Sequence, residues 1–202
     1  MIAVSHQTAY PRRITQTYSA LPWPTEVQPP PVLKFLGGTL RTTTNISRWA
    51  AANGLAPEAI VDLGQLAPAV LAVVLREADV ALFPNRAECD SNPMLLECMA
   101  SGVPVIASRN TGQRDVATAE LCYPLVLQSA LRGMPVDGGT EGWGESSVDE
   151  IVAQLEMVFA QTSAARKKAA VAAEWAKGFG WEVHAPRLIE LLAPMIRRVK
   201  VS

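Results

Sequence analysis

Short apolar runs recur through the central part of the chain, and segments with helical spacing separate them. The runs predict strands at residues 32–36, 59–64, 79–84, 104–108 and 122–127. Helices are predicted at about 42–53 and 68–77 and from Asn92-Pro93 onward, with a helical turn at about 113–119. Continuous apolar strands that alternate with helices are typical of a parallel sheet covered on both faces. The predicted fold class is therefore α/β, with a Rossmann-like parallel sheet between helices.

The two ends of the chain follow other patterns. Residues 1–31 are rich in proline and lack apolar periodicity, which predicts an extended arm or linker ahead of a domain at 32–202. An arm docked on that domain through its aromatic residues is the alternative. After a glycine-rich loop at 133–144, helices are predicted at about 147–161, 163–177 and 181–199. Ser147 and Glu150 have the spacing of a capping box for the first of these helices.

Composition and charge narrow the class of protein. The chain has 202 residues, 49% of them hydrophobic, so it can bury a core and is not mainly disordered. A net charge of −1 argues against a strongly basic nucleic-acid binder. No apolar run approaches the roughly 18 residues of a transmembrane helix, and the first residues lack a signal-peptide pattern. Cys89, Cys98 and Cys122 have no CxxC spacing, which favours reduced thiols in a cytoplasmic chain.

The segment that leaves the strand at 79–84 carries the candidate chemistry, because ligands of parallel sheets bind at the carboxyl ends of strands. Asn92 is a suitable N-cap and Pro93 a suitable first helical residue. Free amide groups at such a helix start favour an anion such as phosphate. Glu97 lies in the same helix among apolar residues, which predicts a buried carboxylate. A ligand with hydroxyl groups, such as a ribose, would supply its donors, and exposure or pairing with an arginine is the alternative.

Motifs of several other enzyme classes are missing from the sequence. It contains no GxSxG, HExxH or GxxxxGK[ST] pattern, which argues against elbow-type serine hydrolases, zincins and P-loop NTPases. His6 and His184 have no partner at metal-ligand spacing. A Rossmann-like enzyme that uses a nicotinamide cofactor is disfavoured, because no glycine-rich fingerprint follows the first predicted strand.

One long segment has the sequence ADVALFPNRAECDSNPMLLECMASGVPVIASRNTGQRD. It resembles the donor-side signature of GT-B retaining glycosyltransferases of family 4, the glycosyl transferases of group 1. The resemblance extends over about residues 60–181. It implies a fold of two Rossmann-like domains, a nucleotide-sugar donor held mainly by the C-terminal domain, and no obligatory metal or cofactor. This chain then corresponds to the C-terminal half of a GT-B fold.

The resemblance also implies roles for individual residues. Glu97 matches the second glutamate of the signature, which accepts hydrogen bonds from the donor ribose. Glu88 matches the first, beside the transferred sugar, although eight residues separate the two here and the usual number is one fewer. The loop that approaches the sugar and diphosphate corresponds to Asp90, Ser91, Asn92 and Pro93.

The basic pair of the family is incomplete in this chain. Gly38 matches the beginning of the loop after the first strand, where family members carry an arginine and a lysine that neutralise the departing diphosphate. Arg41 is the remnant of that pair, and Arg109 or Arg114 is the alternative. Glu88 and Arg41 are therefore the candidate catalytic residues.

The length of the chain sets a second limit on function. A chain of 202 residues is too short to contain both GT-B domains. The resemblance implies transfer of a glycosyl group from a nucleotide-diphosphate sugar to an acceptor hydroxyl with retention, with help from a second domain or subunit. The alternative is a truncated, inactive homologue that acts as a partner-binding subunit or homo-oligomer.

The last predicted helix carries an apolar stripe of Leu188, Leu191, Leu192, Met195 and Val199. We expect this stripe to pack on its own domain; a partner subunit or peripheral membrane contact is the alternative.

Overall fold

The computed structural model describes residues 2–5, 13–16, 51–54, 67–131 and 139–199. The predicted strands at 32–36 and 59–64 lie outside these residues, as do most of the helix predicted at 42–53 and both Gly38 and Arg41. The end of that helix is described: helical residues stop at Ala52, and Gly54 takes a φ of 70° in the turn that follows. The stop predicted at Asn53-Gly54 is thus confirmed.

A mixed sheet forms the centre of the molecule. Its strands are β1 (Ile2–Ser5), β2 (Arg13–Gln16), β3 (Val80–Phe83), β4 (Val105–Ser108) and β5 (Tyr123–Leu125), in the order β2-β1-β3-β4-β5. Strands β3, β4 and β5 are parallel, with Phe83 opposite Ala107 and Ser108 opposite Leu125. Strand β1 is antiparallel to both of its neighbours. The predicted α/β class with a parallel sheet is confirmed for β3 to β5.

The first two strands differ from the extended arm predicted for residues 1–31. Residues 2–5 and 13–16 form an antiparallel hairpin, and its first strand pairs with β3. The difference has a simple cause: segments of four residues are too short to show a clear hydrophobic period, and pairing of β1 with β3 and of β2 with β1 holds them in the sheet. The boundary predicted at residue 31 lies outside the described residues.

Helices cover both faces of the parallel strands. They are α1 (Pro68–Arg76), α2 (Pro93–Ala100), α3 (Val148–Ala160), α4 (Thr162–Ala176) and α5 (Trp181–Val199). Alternate strand residues point to opposite faces, so Phe83 packs in the cluster that contains Leu95 and Met99 of α2, whereas Leu82 packs in the cluster of Ile151 in α3. Helix α4 contributes alanines to both clusters. This two-sided core is the arrangement that the apolar strand pattern predicts.

Two predicted helix starts are confirmed, and one of them uses its glutamate differently. Asn92 accepts a hydrogen bond from the amide of Leu95, and Ser147 accepts one from the amide of Glu150. The Glu150 carboxylate, however, accepts hydrogen bonds from the amides of Val126 and Leu127, both at 2.9 Å. It therefore ties α3 to the end of β5, and does not bond back to Ser147 as in a reciprocal capping box.

The last helix leaves much of its apolar surface exposed. Leu188, Leu191 and Leu192 are 53%, 72% and 41% exposed, so the expectation that this stripe packs on its own domain is wrong for these residues. The side chains of Met195 and Val199 are not described. Among the described helices, none combines the length and the hydropathy that a bilayer crossing requires.

Candidate functional site

Polar side chains gather at the edge of the sheet where the parallel strands end. The loop after β3 (residues 84–92) meets the segment after β4, which begins at Arg109 and contains a 3₁₀ helix at Thr111–Asp115. A short ribbon of β6 (Gln128–Ser129) and β7 (Glu145–Ser146) follows β5 and lies against both. The carboxyl ends of three parallel strands therefore supply one cluster, which we call the loop cluster.

Four hydrogen bonds hold Glu88 in the loop cluster. Its carboxylate accepts hydrogen bonds from the side-chain amides of Asn85 and, at 3.3 Å, Asn92. Its backbone amide donates to Thr111 Oγ1 at 2.8 Å, and its carbonyl accepts from the amide of Gly112 at 3.0 Å. Partial burial raises the pKa of the Glu88 carboxyl, and the hydrogen bond from Asn85 opposes that rise. A half-buried carboxylate with a fixed backbone is a suitable acceptor for ligand hydroxyl groups.

Asn110 is the centre of the hydrogen-bond network behind Glu88. It is only 3% exposed, and its side-chain amide donates to the carbonyl oxygens of Asn85 at 2.9 Å and Arg86 at 3.0 Å. The same nitrogen lies 3.2 Å from Gln128 Oε1 and 3.4 Å from the Gly144 carbonyl oxygen. One buried carboxamide thus joins the loops that follow all three parallel strands.

Two glycines allow these segments to approach closely. A Cβ atom on Gly112 would overlap the main chain of Asp90, and one on Gly144 would lie 2.9 Å from Gln128 Cβ. The amide of Gly144 donates to the Arg86 carbonyl oxygen at 2.9 Å. The described end of the glycine-rich loop is therefore part of the loop cluster.

A surface ion pair closes the same side of the cluster. Arg86 Nη2 lies 2.7 Å from Glu145 Oε1, and the two side chains are 46% and 30% exposed. Pairs this exposed contribute little to stability, about 1 kcal/mol or less. The pair joins the loop after β3 to strand β7.

The burial predicted for Glu97 is wrong. Its side chain is exposed on α2, whereas Leu95, Cys98 and Met99 are buried. The apolar neighbours lie on the core face, and the position of Glu97 along the helix turns it away from them. The argument that a buried carboxylate needs a ligand therefore fails for Glu97. Its role toward a ribose stays a prediction that rests on the family resemblance.

Four of the other predicted site residues are described by the structure, and two are not. Asn92 is buried and meets Glu88, and Pro93 is the exposed first residue of α2. Exposed Asp90 accepts hydrogen bonds from the amide and hydroxyl of its neighbour Ser91, at 2.7 and 3.3 Å. Gly38 and Arg41 lie outside the described residues.

The alternative arginines stay at the surface. Arg109 and Arg114 are both exposed, and within the part of the chain that the structure describes neither forms an ion pair. Similarly, no described group of three His, Cys, Asp or Glu side chains has the arrangement of a metal site.

Sequence reasoning missed the residues that support Glu88 from behind. They are Asn110, Thr111 and Gly112 after β4, together with Gln128 of β6 and Gly144 just before β7, which contact Asn110. A signal for the first three was present in the sequence, since an Asn-Thr-Gly run directly follows the strand at 104–108. The rule that ligands bind at the carboxyl ends of parallel strands applies to β4 as much as to β3.

Comparisons with known proteins show which fold and which family this arrangement resembles. A comparison with curated proteins finds no match. The chain resembles the solved structure of sucrose-phosphate synthase (tll1590) from Thermosynechococcus elongatus, with a TM-score of 0.62 and 20% sequence identity. The match covers 76% of this chain and 34% of that one, so this chain spans about a third of that structure. The likeness shows the fold, one half of the GT-B architecture.

A family model gives the more direct assignment. The model described as "Glycosyl transferases group 1" matches residues 25–128, a little more than half of the chain. The matched segment contains β3, α2 and β4 and the four described hydrogen-bond partners of Glu88, which are Asn85, Asn92, Thr111 and Gly112. The chain therefore belongs to the glycosyl transferases of group 1.

Proposed function

We propose that this chain is the donor-binding half of a retaining glycosyltransferase. It binds a nucleotide-diphosphate sugar at the loop cluster, and the glycosyl group passes to an acceptor hydroxyl with its configuration kept. The acceptor is bound by a second domain or a partner subunit, since this chain spans about a third of the sucrose-phosphate synthase structure that it resembles. Group 1 membership supports the reaction class, and the remaining details are inferred from the site.

The observation that carries this proposal is the fixed carboxylate of Glu88. It lies at the carboxyl ends of β3 and β4, where ligands of parallel sheets bind, and it is half-buried. Its position in the sequence matches the glutamate that lies beside the transferred sugar in the family. In this proposal, Glu88 accepts hydrogen bonds from sugar hydroxyl groups while Asn85 and Asn92 keep it oriented.

The start of α2 provides the environment for the diphosphate. Asn92 caps the helix through the amide of Leu95, and proline occupies the next position, so the helix start is fixed and its dipole points toward the loop cluster. Partial positive charge at a helix start favours phosphate groups. Arg41 would supply the full positive charge that stabilises the leaving diphosphate, a contribution that is usually large in catalysis.

Calorimetric titration of the chain with UDP, GDP and ADP tests this proposal. We expect saturable binding of one of the three nucleotides. The Glu97→Ala variant should bind it at least about tenfold more weakly if the exposed carboxylate accepts hydrogen bonds from the ribose, because a hydrogen bond to a charged group contributes about 1.5–3 kcal/mol. Glu156→Ala, which removes an exposed glutamate from α3, is the matched control and should bind normally.

The same titration identifies the competing function. A correctly folded chain that binds none of the three nucleotides would contradict donor binding. That result would favour the truncated, partner-binding homologue, and light scattering after gel filtration, alone and with candidate partners, would then be the next measurement.

A further inference from the structure

Two non-glycine residues in the described part of the chain have positive φ angles, and both hold Glu88. Asn92 has a φ of 60° and donates its side-chain amide to the Glu88 carboxylate. Thr111 has a φ of 36° and accepts the Glu88 backbone amide at its hydroxyl oxygen. The two positive-φ residues thus bond to the same residue, Asn92 to the side chain of Glu88 and Thr111 to its main chain.

The conformation of Thr111 is the less expected of the two. Asparagine is one of the residues that adopt the left-handed region with some frequency, but a β-branched residue does so rarely. Such conformations persist where the surrounding structure determines them, and they cluster at functional sites. Secondary structure alone does not explain a threonine at this position.

Asn110 explains how Thr111 is held. The Thr111 hydroxyl lies 3.3 Å from Asn110 Oδ1, to which it donates, while the Asn110 amide donates to the carbonyl oxygens of Asn85 and Arg86. These two residues begin the loop that leads to Glu88. The contacts therefore form a closed circuit from the loop after β3, through Asn110 and Thr111, and back to Glu88.

The adjoining glycine completes the attachment. The amide of Gly112 donates to the Glu88 carbonyl oxygen, so both polar groups of the Glu88 main chain bond to consecutive residues of the β4 segment. With its main chain attached on both sides, Glu88 can place its carboxylate without reorganising when a ligand arrives.

We propose that Thr111, itself held by Asn110, is a positioning residue that fixes Glu88 against the sugar of the donor. This inference rests on the function proposed above. Thr111 acts through the main chain of Glu88 and does not contact the donor. Loss of its hydroxyl should therefore weaken recognition of the sugar and leave recognition of the nucleotide intact.

Amide hydrogen exchange tests the placement without any ligand. In Thr111→Val the Glu88 amide loses its acceptor, so its exchange should become at least about tenfold faster, whereas Thr111→Ser keeps the hydroxyl and should exchange nearly as the native chain does. Thr162→Val is the matched control, because it removes a hydroxyl that donates to the Phe159 carbonyl oxygen outside the loop cluster. If Thr111→Val does not fold, Thr111→Gly removes the hydroxyl and relieves the positive φ.

A second titration tests the consequence for binding. The nucleotide that binds the native chain is compared with its sugar conjugate (UDP-glucose, GDP-mannose or ADP-glucose). We expect Thr111→Val to reduce the affinity gained from the sugar by about three- to tenfold, with an unchanged nucleotide affinity and recovery in Thr111→Ser.

The outcomes separate the two proposals. Unchanged exchange at the Glu88 amide, or faster exchange with unchanged sugar recognition, overturns the role of Thr111. Equal weakening of nucleotide and conjugate overturns it as well, because that pattern indicates general damage to the site. Failure of the native chain to bind any nucleotide overturns the proposed function and, with it, the assignment of a donor sugar, while the exchange result still decides whether Thr111 holds Glu88.

Discussion

Glu88 shows how a single side chain combines a functional placement with a cost in stability. Burial raises the pKa of its carboxyl above the ordinary value of 4.5, which means that the folded chain disfavours the charged form. Protonated Glu88 therefore contributes to the free energy of unfolding. This contribution is fully present below the pKa of the unfolded chain and is lost as the pH rises through the pKa of the folded chain. The charged carboxylate is therefore a liability to folding at neutral pH.

The Glu88→Gln variant should be more stable than the native chain at pH 7. The amide carries no charge to desolvate, and its oxygen can still accept the hydrogen bonds from Asn85 and Asn92. We expect a rise in melting temperature of roughly 1–3 °C at pH 7 that disappears near pH 4, measured by calorimetric melting across this range. Partial solvent exposure keeps the effect small.

The control for this variant is Glu174→Gln, which changes an exposed glutamate on α4. It should leave the melting temperature nearly unchanged at both pH values. A Glu88→Gln variant that melts below the native chain at pH 7 would show that the carboxylate is stabilising, contrary to the burial argument.

At the same scale, Glu97 marks where reasoning from sequence failed. Its neighbours along the chain are apolar, and this predicted a buried side chain. Burial depends on which direction a helix turns each residue, and within an eight-residue helix the packing partners decide that direction. Asn92 and Pro93 were predictable because capping is local, and Glu88 was placed by a resemblance that the loop geometry supports.

At the scale of elements, local patterns were sufficient for the main strands and helices from α1 onward, although they did not predict the short ribbon of β6 and β7. The strands β3, β4 and β5 and the helices α1 to α5 lie within a few residues of their predicted positions. Contacts between distant segments were not predictable. The approach of Gly112 to Asp90 and the attachment of Glu150 to the end of β5 depend on how loops meet in space, and neither follows from spacing along the sequence.

The close approach of two loops makes Gly112 sensitive to a single added carbon. In Gly112→Ala the new Cβ would overlap the main chain of Asp90, so the loop after β3 must shift. We expect a loss of about 1–3 kcal/mol in the free energy of unfolding, measured by urea denaturation, together with weaker nucleotide binding.

Gly178→Ala is the matched substitution for this test. A Cβ at Gly178 would meet no atom within 4 Å, and its φ is not positive. Its free energy of unfolding should be unchanged or slightly higher. Equal stability of the two variants would contradict the close packing between the loops after β3 and β4.

At the scale of the whole molecule, the core lies on the two faces of the sheet and α5 adds little to it. Up to residue 194, where the side chains of α5 are described, its aromatic and aliphatic side chains are largely exposed, including Trp181 at 79% and Ile189 at 67%. One described ring contact joins the helix to the rest of the chain, between His184 and Phe179 at 5.6 Å. By contrast, α4 buries Ala165, Ala169, Ala172 and Ala176, and three of these alanines (Ala165, Ala172 and Ala176) belong to the two core clusters.

Removal of residues 181–202 should therefore leave a cooperatively folded sheet. We expect the melting temperature to fall by no more than about 5 °C, because few apolar groups leave the core. The contrasting variant is Ala172→Leu, which forces a larger side chain into a position that is 1% exposed and should lower the melting temperature more. Loss of cooperative unfolding on truncation would show that α5 belongs to the core.

A crystal of the chain soaked with the nucleoside diphosphate that it binds gives the most direct test of the central claim. We expect the diphosphate at the carboxyl ends of β3 and β4, between the first turn of α2 and the Glu88 loop. Density for the nucleotide on another surface would contradict it. A loop cluster that stays empty at a saturating concentration of the nucleotide would contradict it as well.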